Sequence, residues 1–391
     1  MKYFNIEEFL IEFNREPEID GVFLKYNQEL NNTTPYSDLI AMKVWLNEYR
    51  YKINTYTSYK QTICRFSMWL KAYDLSLTAL SREKVQDYHD FLLNPEPSDF
   101  WCGPAKPQKY DREKSDTLIW KPFVKGLSNS SVKLNLQIIK AMYQYLIENG
   151  YLIKNPFRLL KVSCVKNKDI EHYLSIKEWG YIESYINDLP DKTFTQRQHK
   201  ERALWLFTLL YKTGLRRSEV AKGRMSDFKN KNKYWWLRVI GKGNKYGDIP
   251  VTDDLLSALV RYRKFLMLTP YPTPSESNIP IVASKYGELK PLNDKSIYNI
   301  IKDICENVAI IIESTDPTAS YTINQASTHW LRHTSATHQV DAGIDIRIVK
   351  DNLRHSLLET TIKYQHTESE KRHNETNDKF SEKSNGIENG K

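Results

Sequence analysis

Apolar residues recur at helical spacing through the first part of the chain. Val44 lies on one such stripe, and Ser81 precedes another as a candidate N-cap. A third stripe runs as far as Gly150, a residue type that commonly ends helices. Residues 1–34 show a shorter helical pattern that is rich in Asp and Glu. The pattern therefore predicts an acidic helical leader followed by a helical domain.

Residues 95–127 interrupt this helical pattern. Five prolines in the segment forbid a continuous helix, and Trp101 and Trp120 lie among them. A long loop with large aromatic residues is unusual in a compact domain and is often functional. The alternative is that both tryptophans pack onto their own domain, because large aromatic side chains usually become buried.

The second half of the chain mixes strand and helix patterns. Two strands are predicted at 235–240 and 248–251, around a Gly-Lys-Gly-Asn turn. Ser327 and Asp345 are candidate N-caps of two late helices. The predicted order is a leader at 1–34, a helical domain at 35–157 with an insertion at about 95–127, a basic linker at 158–172, a mixed α/β domain at 173–369 with helices over 254–266 and 293–312, and a polar tail at 370–391 that we expect to be disordered.

Charge changes this picture because it is distributed unevenly. The net charge is +9, but residues 1–34 hold three Lys or Arg against seven Asp or Glu, so the remaining residues carry +13. A basic body favours a polyanionic partner such as a nucleic acid, although a basic protein without such a partner has the same composition. The four cysteines form no CxxC pair, and no apolar run is long enough for a membrane span. We expect a protein of a reducing cytoplasm that needs no membrane.

Six residues of the second half supply what cutting a phosphodiester without a metal requires. Arginine can stabilise the charged oxygens of a phosphorane with its planar fork. Lysine and histidine can transfer protons, and a tyrosine hydroxyl can attack phosphorus when nearby cations favour its ionised form. The candidates are Arg216 in TGLRRSE, Lys242 in GKGNK, His329 and Arg332 in HWLRH, His355 in LRHS and Tyr364 in TTIKYQH.

Neighbouring residues leave some alternatives open. Glu219, three residues after Arg216, is placed to orient it, and Lys245 is a second choice for Lys242. His329 and His333 have the i, i+4 spacing of metal ligands, but no glutamate of an HExxH motif lies between them. We therefore expect no metal and no other cofactor.

Taken together, the motifs resemble those of the tyrosine recombinase, or phage integrase, family. The resemblance is specific over residues 200–367 and looser over 36–160. It implies a mainly α fold with a small β-sheet or hairpin, in which two domains form a C-shaped clamp on double-stranded DNA. It implies that Arg216, Lys242, His329, Arg332 and His355 are catalytic and that Tyr364 is the nucleophile. Arg354 departs from the pattern, since the family often has glycine there.

The implied activity is site-specific recombination. One strand would be cut to leave a 3′-phosphotyrosyl link and a free 5′-hydroxyl, and a second 5′-hydroxyl would rejoin it, without metal or ATP. A homotetramer on paired DNA sites and a prokaryotic cytosolic location are implied as well. Two alternatives are a DNA relaxer similar to type IB topoisomerases and a DNA-binding regulator of recombinase fold that no longer cuts.

Overall fold

The computed structural model describes residues 1–15, 35–103, 121–159, 172–241, 246–284 and 289–354. The chain divides into two compact units, Met1–Lys168 and Asp169–Lys391. In the described part of the chain, no helix combines the length and the apolar character needed to cross a membrane.

Unit 1 consists of helices and connecting loops where it is described. The N-cap predicted at Ser81 is present, since its hydroxyl accepts from the backbone N–H of Lys84, and the Ser128 hydroxyl caps α6 in the same way by accepting from that of Ser131. The helices are α1 (Ile6–Asn14), α2 (Pro35–Asn47), α3 (Ile53–Tyr73), α4 (Arg82–Leu93), α5 (Ser98–Trp101) and α6 (Asn129–Glu148).

The core of unit 1 is built largely from aromatic side chains. Trp69 and Tyr88 pack with their ring centroids 4.9 Å apart. Trp101 is fully buried in the same core and meets Phe91 edge to face at 4.9 Å. The first tryptophan of the proline-rich stretch therefore packs onto its own domain, whereas Trp120 lies outside the described residues.

The first fifteen residues belong to this core as well. Ile6, Phe9 and Phe13 of α1 are buried in it, and the backbone N–H of Lys2 donates to the carbonyl of Ala72 at 2.6 Å. The acidic side chains of α1 lie on its exposed face, since Glu7 and Glu8 are exposed. The described part of the predicted leader is thus an integral helix of unit 1.

Unit 2 combines eight described helices with a small sheet. Its elements are α7 (Ile176–Asp188), α8 (Phe194–Thr213), α9 (Arg217–Lys222), β1 (Phe228–Lys231), β2 (Tyr234–Ile240), β3 (Tyr246–Pro250), α10 (Asp253–Phe265), α11 (Asp294–Ile312), α12 (Pro317–Gln325), α13 (Thr328–Asp341) and α14 (Ile346–Leu353). Helix α8 runs through the core, where Trp205 stacks on Tyr262 at 5.7 Å. The predicted mainly helical, two-domain architecture with a small sheet is confirmed.

The sheet has one strand more than the sequence predicted. Its order is β1-β2-β3, and both pairings are antiparallel. Strand β1 escaped prediction because only Phe228 of its four residues is buried, so it has no alternating apolar pattern. Its turn to β2 is formed by Asn232 and Lys233, which both have positive φ although neither is glycine.

The two late helices begin where the sequence predicted, but their caps differ. The Asp345 carboxylate accepts from the backbone N–H of Arg347 at 2.8 Å and caps α14 as expected. Ser327 occupies the N-cap position of α13, yet its side chain makes no capping hydrogen bond. The residue type therefore predicted the position of this helix start without predicting the bond.

Candidate active site

Arg216 is held at the start of α9 by a neighbouring carboxylate. Glu219 accepts from the Arg216 backbone N–H at 2.7 Å through Oε2 and from its Nη1 at 2.9 Å through Oε1. The Glu219 side chain is only 5% exposed, whereas that of Arg216 is 40% exposed. A buried carboxylate thus fixes a guanidinium that still reaches solvent, which is the orienting role expected for Glu219.

Gly214 allows the chain to turn at the end of α8, two residues before Arg216. This residue ends α8 with φ of +57°, a left-handed conformation that favours glycine. A Cβ at this position would lie 2.5 Å from Cδ2 of Leu353, at the end of α14. Glycine is therefore needed both for the turn and for the close approach of the two segments.

Arg332 joins these same two segments. It lies buried on α13, where Nη1 donates to the carbonyl oxygen of Gly214 and Nη2 donates to that of Leu353. One guanidinium therefore connects the chain just before Arg216 with the chain just before His355. The candidate residue in HWLRH brings together the segments that carry two other motifs.

Arg354 adds a second connection that the sequence did not reveal. Its Nη2 donates to Glu219 Oε2 at 2.8 Å, and the side chains of this ion pair are 8% and 5% exposed. Burial lowers the pKa of Arg354, and the charge of Glu219 opposes that effect. Glu219 thus lies between the guanidinium groups of Arg216 and Arg354. Arg332 binds the carbonyls of Gly214 and Leu353, which shortly precede Arg216 and Arg354, so three guanidinium groups accompany one carboxylate and the cluster carries excess positive charge.

His329 lies beside this cluster on α13. Burial lowers its pKa, and the positive charges of Arg332, His172 and Arg216 lower it further. Its Nε2 lies 2.8 Å from Nε2 of His333, so one proton at most is shared between these two nitrogens. A neutral imidazole next to arginines is suited to accept a proton in a reaction at phosphorus.

His338, also on α13, has a different environment. Its Nδ1 lies 2.9 Å from the hydroxyl of Tyr211, and burial lowers its pKa. This contact places it in the packing between α13 and α8. Within the described residues, no group of three or more His, Cys, Asp or Glu side chains is arranged to hold a metal ion.

Lys242, His355 and Tyr364 lie outside the described residues. Their sequence neighbours are described for two of them. Ile240 pairs with Tyr246 on the strands that precede and follow Lys242. Leu353 and Arg354, which precede His355, contact Arg332 and Glu219. Of the six candidates, the structure places Arg216, His329 and Arg332 in one cluster in unit 2.

Solved structures of DNA recombinases have a fold similar to that of this chain. A site-specific recombinase XerH in a post-cleavage complex with a palindromic difH substrate matches with a TM-score of 0.58 at 16% identity, covering 95% of this chain and 96% of that one. The Tn1549 transposon integrase in complex with transposon right end DNA matches with a TM-score of 0.56 at 15% identity, covering 86% and 98%. The fold is that of DNA recombinases.

Sequence comparisons define the family. The model of the phage integrase family matches residues 183–371, and that of the phage integrase SAM-like domain matches residues 23–167. Tyrosine recombinase XerC of Pediococcus pentosaceus is 27% identical over 252 residues, which are 64% of this chain and 75% of that protein. Tyrosine recombinase XerD of Pasteurella multocida is 24% identical over 335 residues, 85% and 94% of the two chains.

The chain belongs to the phage integrase family of tyrosine recombinases. It is therefore a site-specific recombinase, an enzyme class that breaks and rejoins DNA strands. The resemblance drawn from the five motifs is confirmed at the level of family and class.

Proposed function

We propose that this recombinase cuts one DNA strand with Tyr364, keeps the 3′ end as a phosphotyrosyl ester, and rejoins it to a 5′-hydroxyl. The observation that carries the proposal is the cluster in unit 2, where Arg332 connects the segments of TGLRRSE and LRHS. Three motifs that are far apart in sequence thereby meet around one set of cations. A cut by this route conserves the phosphodiester bond energy in the ester, so it requires no ATP. The arginines would provide the charge stabilisation that a metal ion provides in other phosphoryl-transfer enzymes, so no metal would be required.

The arginines have the clearest chemical role. Attack of the Tyr364 oxygen forms a new P–O bond while the bond to the 5′-oxygen breaks, and negative charge grows on the non-bridging oxygens. Arg216 and Arg332 would stabilise that charge. Two features support the assignment for Arg216: its guanidinium is already oriented by Glu219, and it is exposed enough to meet a phosphate.

Proton transfer is assigned to the remaining candidates. His329, whose lowered pKa favours the neutral imidazole, would take the proton of the attacking tyrosine together with His355. Lys242 would give a proton to the departing 5′-oxygen. When a new 5′-hydroxyl attacks the ester, the same groups would act in reverse and return the proton to Tyr364.

DNA is the proposed partner, and a homotetramer on two paired sites is the proposed assembly. The solved recombinases of similar fold include complexes with DNA, and residues beyond 34 carry a net charge of +13. Steep dependence of affinity on salt is expected for such a protein, because each phosphate contact releases a counterion.

A covalent adduct tests the proposal directly. Nicked duplexes tiled across the DNA that flanks the gene allow the short 5′-hydroxyl fragment to diffuse away after cutting, which traps the protein–DNA ester. We expect the adduct to form in EDTA with the wild-type chain and to disappear with Tyr364→Phe, with DNA affinity nearly unchanged. Tyr234→Phe, at an exposed tyrosine of β2, is the matched control and should form the adduct normally.

Two results would contradict the proposal. An adduct formed by Tyr364→Phe would show that another residue is the nucleophile. DNA binding by the wild-type chain without an adduct on any duplex would favour the regulator that binds DNA without cutting.

Alanine variants test the two arginines. Loss of one preorganised partner of the transition state typically lowers the rate by about 10²–10³. We expect Arg216→Ala to lose cleavage at nearly unchanged stability, because its side chain is partly exposed. Arg332→Ala should lose cleavage and stability together, because it also leaves the buried carbonyls of Gly214 and Leu353 without their donor. Cleavage at the wild-type rate by either variant would remove that residue from the site.

A further inference from the structure

Arg354 has an unusual backbone conformation for an arginine. It follows the last residue of α14 with φ of +55°, in the left-handed region that glycine adopts without cost. A side chain other than glycine persists in such a conformation when its contacts compensate for it, and such positions cluster at functional sites. The contacts of the Arg354 side chain therefore indicate what the residue does.

These contacts hold three parts of unit 2 together. Besides its ion pair with Glu219, Arg354 donates from Nη1 to the carbonyl oxygen of Asn352 at 2.9 Å. Its aliphatic part lies against Gly247 of β3, where an added Cβ would be 2.8 Å from both Cγ and Cδ. Arg354 thus connects the end of α14 with α9 on one side and with β3 on the other.

Glu219 contacts both Arg354 and Arg216. The same carboxylate oxygen, Oε2, accepts from Arg354 Nη2 at 2.8 Å and from the Arg216 backbone N–H at 2.7 Å. The other oxygen, Oε1, accepts from Arg216 Nη1. With Arg354 in place, both oxygens of the Glu219 carboxylate accept hydrogen bonds, which fixes the plane of the carboxylate. The orientation of the Arg216 guanidinium depends on that plane, because its Nη1 donates to Oε1. Without Arg354, Oε2 keeps the Arg216 backbone N–H but loses its only side-chain donor among the described residues.

We propose that Arg354 is a positioning residue of the recombination reaction, which fixes Glu219 so that Arg216 is directed at the scissile phosphate. The proposal rests on the catalytic role proposed for Arg216. Arg354 itself is buried in its ion pair and acts through Glu219, so its effect is on the rate of cutting and not on the affinity for DNA. It also keeps the chain next to His355 against the segment that carries Arg216.

The test compares Arg354→Gly and Arg354→Lys with the wild-type chain in single-turnover cleavage of the nicked duplex that the wild type cuts best. A misplacement of about 1 Å in a catalytic group costs on the order of a hundredfold in rate. We expect Arg354→Gly to cut about tenfold to a hundredfold more slowly with little change in Kd, and Arg354→Lys, which keeps one charged donor for Glu219, to recover part of the loss.

Met267→Gly is the matched control for the backbone. Met267 also has positive φ, at 58°, but it is 78% exposed after the end of α10, and none of the hydrogen bonds described above for the arginine cluster includes it. Replacing it with glycine makes the same change of backbone freedom in the same unit. The control should cut at the wild-type rate.

A double-mutant cycle separates positioning from a general structural effect. If Arg354 acts through Arg216, Arg354→Gly should cost little more in a chain that already carries Arg216→Lys. Should Arg354→Gly fold poorly, Glu219→Gln breaks the same relay and is expected to slow cutting in the same way.

Three results would overturn the proposal: cleavage by Arg354→Gly at the wild-type rate, additive losses in the cycle, or full activity of folded Glu219→Gln. A wild-type chain that forms no covalent adduct would instead contradict the proposed function. In that case the contact between Arg354 and Glu219 can still be tested without DNA. The effects of Arg354→Gly and Glu219→Gln on the free energy of unfolding should be non-additive.

Discussion

Replacement of Trp101 tests whether the proline-rich stretch begins inside the core of unit 1. Trp101 is 0% exposed, and its ring meets Phe91 and Phe100 at centroid distances of 4.9 Å each. Truncating a buried tryptophan to alanine typically costs about 3–5 kcal/mol. The indole Nε1 is buried without a hydrogen-bond partner among the described residues, and an unsatisfied donor of this kind costs about 1–3 kcal/mol in the folded state. We therefore expect Trp101→Ala to lower the free energy of unfolding by about 3 kcal/mol, near the lower end of the range.

Two further variants make this expectation specific. Trp101→Phe keeps an aromatic ring and removes the unpaired N–H, so it should cost less than half as much as Trp101→Ala. Tyr51→Ala removes an aromatic side chain that is 84% exposed in the same unit, and it should change the stability by no more than about 0.5 kcal/mol.

Urea unfolding followed by circular dichroism gives the free energies, and hydrogen exchange locates the change. Peptides from α3 and α4 should lose protection in Trp101→Ala, whereas peptides from α8 and α13 should keep it. An unchanged free energy of unfolding together with weakened DNA binding would refute the reasoning, because it would mean that Trp101 faces DNA and not the core.

Three other predictions follow from the site and the charge distribution. Lys242→Ala should cut normal DNA slowly and should be largely rescued on a bridging 5′-phosphorothiolate, whose leaving group needs no acid; an equal defect on both substrates would transfer the role to a test of Lys245. Burial lowers the pKa of His199, His329 and His338 below 6.5, so the unfolded chain binds protons more readily below that pH. The melting temperature should therefore be highest above pH 6.5 and fall as the pH drops below it; a melting temperature that rises on acidification would contradict this. The logarithm of DNA affinity should fall by about 0.9 per phosphate contact with the logarithm of salt concentration, and charge reversals on the exposed acidic face of α1 should leave that slope unchanged; a steeper slope would mean that α1 lies at the DNA.

Local patterns predicted the helices well, because their information lies within a few residues. The cap at Ser81 and the stripe that leads to Gly150 correspond to α4 and α6. The place where each element packs was harder to predict than the element itself. The pattern in residues 1–34 indicated a helix, but only the fold reveals that Phe9 and Phe13 of α1 complete the core of unit 1. Strand β1 was missed because pairing with β2, and not its own sequence, makes it a strand.

In the candidate site, too, local contacts could be predicted from the sequence and long-range contacts could not. The sequence indicated that Glu219 is placed to orient Arg216, and the structure shows the local reason: Arg216 is the N-cap of α9, and a glutamate three residues further on reaches back to it. The shared contacts of Arg332 with Gly214 and Leu353 span 118 and 21 residues, and no spacing rule predicts them. The residue types and their order could be read from the sequence. Only the fold shows that the segments carrying them come into contact.

Arg354 illustrates why the second kind of information decides function. In the sequence it is an arginine at a position where the family often has glycine, which indicates only that the turn departs from the family pattern. In the structure its backbone does adopt the left-handed conformation, but its charge is directed inward to a carboxylate 135 residues away. Because that carboxylate also holds Arg216, a substitution that looks like a local change of turn becomes part of the geometry of the candidate active site. The side chain of a residue beside a motif can therefore determine how well the motif works, and only its tertiary partners reveal this.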